Sequence, residues 1–417
     1  MILCLVVLAA VTGLWSLCAR GLEQWNVRAP LVMVLAGLAT GLSTSAIADT
    51  LDAGVAQHVA EIILAVLLFV DANEVHGGRL FGAEPRMAVR TLLVAMPLSL
   101  VAAVLLGWLL LPDGLSWPAL LVIGCALVPI DLAPAESLVR DRLVPARVRD
   151  VLNVESGYND GIVSPIFAFA LILAGTSSPA DTPLEALATA VPSALKAVAC
   201  GLAFGLAVAW LMNLAERREW VTGQSRRVLV VAVPLFTYTA TVELGGNGFV
   251  AAFVCGIAFR FLRKVAPRRR VKNPAQTPEL QLLEDVAALL TVGMWFYLGN
   301  AAVMTVRDGV GWRIPLYCLA VLTVVRIVPM LLALLGSTTT MRDRFAIGAI
   351  GPRGTTSIVF GLLAFNDLPA GELADTALTT MTLTVIASVL VHGPGAVIVG
   401  RVSHREASRN LTIKRAR

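Results

Sequence analysis

About thirteen stretches of this chain are apolar and long enough to cross the ~30 Å hydrocarbon layer of a bilayer. They lie at approximately 1–18, 30–48, 58–74, 88–111, 117–138, 148–174, 185–214, 227–243, 247–264, 281–304, 312–335, 344–365 and 374–400. That pattern leaves few folds open. In hydrocarbon every backbone N–H and C=O must be satisfied within the spanning structure, so runs of this length are helices. Composition points the same way: 57% of the residues are hydrophobic, 15% are charged, and the mean hydropathy is +0.79, outside the range of water-soluble domains. The predicted fold class is an all-α polytopic membrane protein. The connections are short and polar, none is long enough for a soluble domain, and the stretch after 400 is a basic stub. Met1–Cys18 lacks a positive leading region and a clear small-x-small cleavage site, so it reads as a retained first helix.

Basic residues orient the spans. With the N-terminus outside, 28 of the 33 lysines and arginines fall in inward loops and only Arg307 and Arg313 in outward ones. Lys196, Arg326 and Arg353 fall inside spans. The bias obeys the positive-inside rule and predicts an odd number of spans, N-terminus out and C-terminus cytoplasmic. The net charge of +5 follows from this bias and needs no nucleic acid. Six cysteines lie in apolar stretches without a Cys-x-x-Cys, and four scattered histidines show no zinc-ligand spacing. No phosphate-binding Gly-x-x-x-x-Gly-Lys-Ser/Thr is present, and no cofactor is implied.

Two spans are interrupted. The fifth contains Leu-Val-Pro-Ile-Asp-Leu-Ala-Pro (127–134), in which two prolines remove backbone donors around Asp131. The twelfth contains Ile-Gly-Pro-Arg-Gly-Thr-Thr (350–356), with Arg353 inside the break. Matched broken helices in two halves of a chain mark the binding site of an inverted-repeat transporter. A separation of seven spans suits two six-helix repeats joined by span 7.

Ionisable groups in the bilayer cost roughly 2.5–3.5 kcal/mol each, so those that are present need a reason. Span 6 carries Asn-Val-Glu-Ser-Gly-Tyr-Asn-Asp (153–160). Ser156 and Asp160 are four residues apart and share one stripe; Glu155 and Asn159 share another, ~100° round the helix. Ser156 and Asp160 are thus expected to face one cavity. Glu155 needs a buried cation, and Arg353 is the expected partner, ahead of Lys196 and Arg326, which read as snorkelling residues or other partners inside the bundle. Asp160 has no obvious arginine. An unpaired buried carboxylate exchanges protons near neutral pH and offers the oxygen ligands that a hard cation prefers. Asp71, near the inner end of span 3, reads either as a helix-end residue snorkelling to the interface or as a member of the site.

Taken together, Leu-Phe-Val-Asp-Ala (68–72), Pro-Ile-Asp-Leu-Ala (129–133), Val-Pro-Ala-Arg-Val-Arg (144–149), Leu-Asn-Val-Glu-Ser-Gly-Tyr-Asn-Asp-Gly (152–161), Gly-Asn-Gly-Phe-Val-Ala-Ala-Phe-Val-Cys-Gly (246–256), Gly-Pro-Arg-Gly (351–354) and Val-His-Gly (391–393) resemble the bacterial NhaP-type sodium/proton antiporters. These belong to the monovalent cation–proton antiporter superfamily, on the sodium/proton exchanger branch. The resemblance implies a homodimer of thirteen-helix protomers in the plasma membrane. It implies a core domain (approximately 88–174 and 312–400) that moves against a dimerisation scaffold (approximately 1–74 and 227–304), linked by 185–214. It also implies that Asp160 takes the cation or the proton, that Ser156 and Asp71 help ligate the cation, that Asn159 orients the site, and that Glu155 pairs with Arg353, with Asp131 in a supporting role. One departure stands out. The family usually has Thr-Asp in the fifth-span break, where this chain has Ile130-Asp131, so only the Ile130 backbone carbonyl could serve there.

The leading function is a secondary antiporter, not an enzyme. A monovalent cation (sodium, or lithium or potassium) and a proton compete for Asp160 by alternating access, electroneutrally by resemblance. A symporter or a non-transporting sensor on the same scaffold is an alternative. An intramembrane aspartyl protease using Asp131 and Asp160 as a dyad is another, although the Gly-x-Gly-Asp and Tyr-Asp motifs of such enzymes are missing.

Overall fold

The computed structural model describes residues 2–24, 28–43, 53–74, 82, 84–112, 114–132, 134, 144–175, 182–265, 279–307 and 309–392. Each of the thirteen apolar runs contains helix, and among the described residues there is no strand. In chain order the helices are α1 (Ile2–Gln24), α2 (Ala29–Ser43), α3 (Ala53–Glu74), α4 (Pro85–Leu110), α5 (Trp117–Leu127), α6 (Ala146–Leu173) and α7 (Pro183–Arg217). They continue with α8 (Gly223–Glu243), α9 (Gly248–Val265), α10 (Gln281–Arg307), α11 (Arg313–Ala333), α12 (Met341–Ala349), α13 (Thr355–Asp367) and α14 (Glu372–His392). Seven of these are long and apolar enough to cross a membrane. The expected basic tail after 400, much of the expected inward loops and residues 133 and 135–138 of the fifth span lie outside the described residues.

Local chemistry sets several helix starts. Pro85, Pro118 and Pro183 stand in the first turn of α4, α5 and α7, where a missing N–H costs nothing. Thr182 caps α7 at Glu185, and Thr222 and Ser225 form a reciprocal capping box on α8. Helix α4 shows why such a chain needs a membrane. Met96, Leu100, Ala103 and Gly107 are buried on one stripe, while Leu98, Val101, Leu105 and Trp108 are exposed on the other. Both faces are apolar, so the outer one requires lipid rather than water.

Packing relies on small residues. Helix α7 lies along α9 with Gly201 and Gly205 one turn apart, and a Cβ on either would run into the backbone of α9 at Ala251 or Cys255. That small-xxx-small contact is how membrane helices approach when no hydrophobic drive separates helix from lipid. Helices α2 and α10 pack along each other, and so do α3 and α9. Helices α5, α6, α13 and α14 form a second packed group, and α13 meets α3 across its face. The broken segments therefore lie inside protein rather than against lipid, as unpaired backbone at membrane depth requires.

Candidate functional site

The two interruptions satisfy each other. Helix α5 ends at Leu127, and the chain is then non-helical through Leu132; α12 ends at Ala349, and α13 begins at Thr355. The Asp131 N–H donates to the Pro352 carbonyl at 2.9 Å. The Asp131 carboxylate accepts from the Thr355 N–H at 2.8 Å, at the N-terminus of α13. In return the Arg353 guanidinium donates to the Leu127 carbonyl at the C-terminal end of α5, and to Gly351 O at 2.7 Å. Thus a carboxylate from the fifth-span break caps the positive end of α13. An arginine from the twelfth-span break caps the negative end of α5. Each charge answers the orphan groups and partial charge of the other half-helix. Gly354 is needed here because a Cβ would occupy the place of the Asp131 carboxylate. Ser388 and His392 of α14 support the second break: Arg353 N–H donates to Ser388 Oγ at 2.7 Å, and the His392 ring lies 3.4 Å from the Gly351 N–H and 3.3 Å from Ala349 O.

One pairing expected from the sequence is corrected. Glu155 is held by Arg326 of α11, not by Arg353: Arg326 Nη1 and Nη2 both reach its carboxylate, the latter at 3.0 Å. Arg326 Nη2 also donates to Ile347 O at 3.2 Å and Ile350 O at 3.4 Å, the carbonyl end of α12. Arg326 is thus a buried partner rather than a lipid-facing snorkeller, and Arg353 is already committed to carbonyl groups.

Asn159 and Ser156 bind α6 to the fifth-span break. Asn159 Nδ2 donates to Ile130 O at 2.7 Å, and Ser156 Oγ accepts from the Leu132 N–H at 3.3 Å. The Ile130 carbonyl therefore already carries a hydrogen bond. The Ile130 side chain packs in an apolar cluster with Val148, Val151 and Met330.

A cavity of about 170 Å³ opens beside this crossing. It brings together Asp71, Asp131, Ser156 and Asp160 of the expected residues. Ile130, Asn159, Glu155 and Arg353 do not line it. Thr355 and Thr356 contribute from the start of α13, and Glu284, Ala287, Ala288 and Thr291 from α10. Sequence reasoning missed the α10 wall. Its only signal was the spacing of Glu284, Ala288 and Thr291 along one stripe of an apolar helix. Asp160 is only 3% exposed, and its Oδ1 has no hydrogen-bond partner among the described residues. A buried carboxylate oxygen without a donor is costly unless a cation or proton can reach it. Among the described residues, no group of three His, Cys, Asp or Glu has the arrangement of a metal-ion site.

Comparison with known proteins fits this geometry. A family model described as "Sodium/hydrogen exchanger, transmembrane" matches residues 6–400. The K(+)/H(+) antiporter NhaP2 of Shewanella baltica (strain OS223) is 27% identical over 330 residues, covering 77% of this chain and 53% of that protein. The chain spans about half the length of these NhaP2 relatives. The Na(+)/H(+) antiporter of Schizosaccharomyces pombe is 23% identical over 388 residues, covering 85% of this chain and 80% of that one. Among solved structures, the sodium proton antiporter MjNhaP1 from Methanocaldococcus jannaschii at pH 8 superposes with a TM-score of 0.74 at 18% identity, covering 96% of this chain and 98% of that one. The fold is that of MjNhaP1, and with the family model covering nearly its whole length this chain belongs to the sodium/hydrogen exchanger family.

Proposed function

We propose that the protein exchanges a monovalent cation for a proton, with both competing for Asp160. The observation that carries this reading is the Asp160 carboxylate, buried in mid-helix, facing a cavity, with one oxygen free of protein donors among the described residues. The cation is held by Asp160, Ser156 Oγ and Asp71, all on the cavity wall. Asn159, tied to the Ile130 carbonyl, fixes the position of α6 against the break. Glu155 with Arg326, and Asp131 with the α13 N-terminus, hold the half-helices in place without taking the ion.

The cycle follows from charge. An empty Asp160 is an anion, and carrying it through a low-dielectric closed state is expensive. Either a bound cation or a proton neutralises it, so the transition between access states is cheap only for the loaded forms. One cation out for one proton in leaves the site with the same charge in both directions, which makes the exchange electroneutral. In this reading helices α4–α6 and α11–α14 move as a core against a dimerising scaffold of α1–α3 and α8–α10. The protein is a homodimer of thirteen-span protomers in the plasma membrane, N-terminus out and C-terminus in.

The names of the relatives divide between potassium and sodium, so the cation is decided by measurement. In everted membrane vesicles with a preformed acid interior, adding sodium, potassium or lithium in turn should collapse the proton gradient for the transported ion. A symporter would deepen the gradient instead. No response to any of the three, with protein shown in the membrane, would overturn the antiport reading.

A further inference from the structure

The α10 wall of the cavity carries a charged group that the exchange mechanism above does not use. Glu284 stands in the first turn of α10, half-buried, and lines the cavity with Ala288 and Thr291 on the same stripe. Ala287, Ala288 and Thr291 are small, and they leave the space between α10 and the α13 start open. Thr291 lies two turns, ~10 Å, deeper than Glu284 along the helix. The acidic groups of the lining are Asp71, Asp131, Asp160 and Glu284, and among the described residues no lining residue is basic. At the deep end, Asp160 Oδ1 and Thr355 Oγ1 are buried and have no hydrogen-bond partner among the described residues. A cavity whose described charged lining is all acidic, with an unsatisfied buried carboxylate oxygen on its wall, draws cations along its length. By contrast, the next acidic residue, Asp285, is exposed and does not line the cavity.

We propose that Glu284 is a capture carboxylate at the cavity mouth: it concentrates the monovalent cation at one membrane face and passes it inward to Asp160. This deepens the antiport reading and rests on it. The alternative for a first-turn glutamate is an ordinary charge–dipole contact at a helix N-terminus. Such a contact would change stability slightly and treat both membrane faces alike.

The test is the apparent KM for the transported cation, measured separately from the two faces in reconstituted liposomes of sorted orientation. Glu284→Gln should raise KM about threefold to tenfold at one face only, the scale of a lost steering charge at low salt. The increase should shrink as ionic strength rises with a non-transported salt. The maximal rate should fall less than twofold, and Glu284→Asp should recover most of the affinity. Asp285→Asn should change nothing. Equal KM shifts at both faces, or none at either, would overturn the proposal. If the wild type drives no exchange, the antiport reading is what has failed. The capture role is then read from sodium- and potassium-induced thermal stabilisation in detergent. Midpoints of that titration equal in wild type and Glu284→Gln would overturn it, and a rightward shift in Glu284→Gln alone would sustain it.

Discussion

Glu155 and Asp160 sit five residues apart on one helix and are almost equally buried, at 4% and 3% exposure. Their surroundings differ completely. Glu155 meets both terminal nitrogens of Arg326, which in turn ties down the carbonyl end of α12. Asp160 meets a cavity, and its Oδ1 has no partner among the described residues. The same chemical group, almost equally buried on the same helix, is ion-paired in one place and faces a cavity in the other. What separates them is whether a fixed cation is present. Arg326 pairs with Glu155 and ties α11 to α6, whereas no arginine is paired with Asp160 among the described residues; in the proposed mechanism Asp160 is neutralised by the ion or proton that arrives.

That contrast predicts a hierarchy of mutational effects. The largest falls on transport. Asp160→Asn should abolish cation-driven proton flux while the purified protein keeps its fold and near-normal melting. The nearby Glu155→Gln should lower folded yield before it lowers turnover per folded molecule. Substantial exchange by Asp160→Asn would erase the distinction between the two carboxylates.

The next effect is on stability. Removing either Glu155 or Arg326 leaves a buried charge alone, which typically costs ~3–5 kcal/mol. The Glu155→Ala and Arg326→Ala double mutant should be less destabilised than the sum of the singles. The same cycle between Glu155 and Arg353 should show a much smaller coupling. Thermal unfolding in detergent checks both, and a larger coupling to Arg353 would contradict the geometry. Arg353→Ala itself removes donors from the carbonyls of Leu127 and Gly351. Its expected cost is about 1–3 kcal/mol, the usual penalty for an unsatisfied buried acceptor.

The smallest effect concerns Ile130, the departure from the family pattern. Its side chain lies in the apolar cluster beneath the break, and its carbonyl is bound by Asn159. Ile130→Thr should therefore shift the cation KM less than twofold and lower the melting temperature modestly, since it buries a hydroxyl among methyl groups. A clear tightening of cation affinity would show that the Thr hydroxyl has access to the site.

What could be read from the sequence, and what could not, divides along physical lines. Apolar run length is local, so the helices could be located without a structure. Proline and glycine act on their own backbone, and the breaks at 127–134 and 350–356 stand where those residues place them. The i, i+4 relation of Ser156 and Asp160 is likewise local, and both residues line the cavity. The partner of Glu155 is not local. Arg326 lies 171 residues away in an apolar span where arginine has several possible roles, and only the packing of α11 on α6 selects it. In the sequence Arg353 reads as the partner because an arginine in a break looks like a counter-ion. Its actual partners are carbonyl dipoles at a helix end, which no spacing of charged residues reveals. Glu284 is hidden for a related reason: a glutamate in the first turn of a helix is ordinary, and only the path of α10 past α13 gives it a cavity to face.

The sharing of Asp160 by proton and cation is tested most directly by the pH dependence of the cation KM in proteoliposomes. If one carboxylate holds either ion, each added proton competes with the cation. The apparent KM should then rise about tenfold per pH unit on the acid side of the Asp160 titration and level off on the alkaline side, with the maximal rate at saturating cation little changed. A KM that stays flat from about pH 9 all the way down to about pH 4, the ordinary aspartate value, in a protein that demonstrably transports across that range would mean that the two ions use different groups, and the shared-site mechanism would fail.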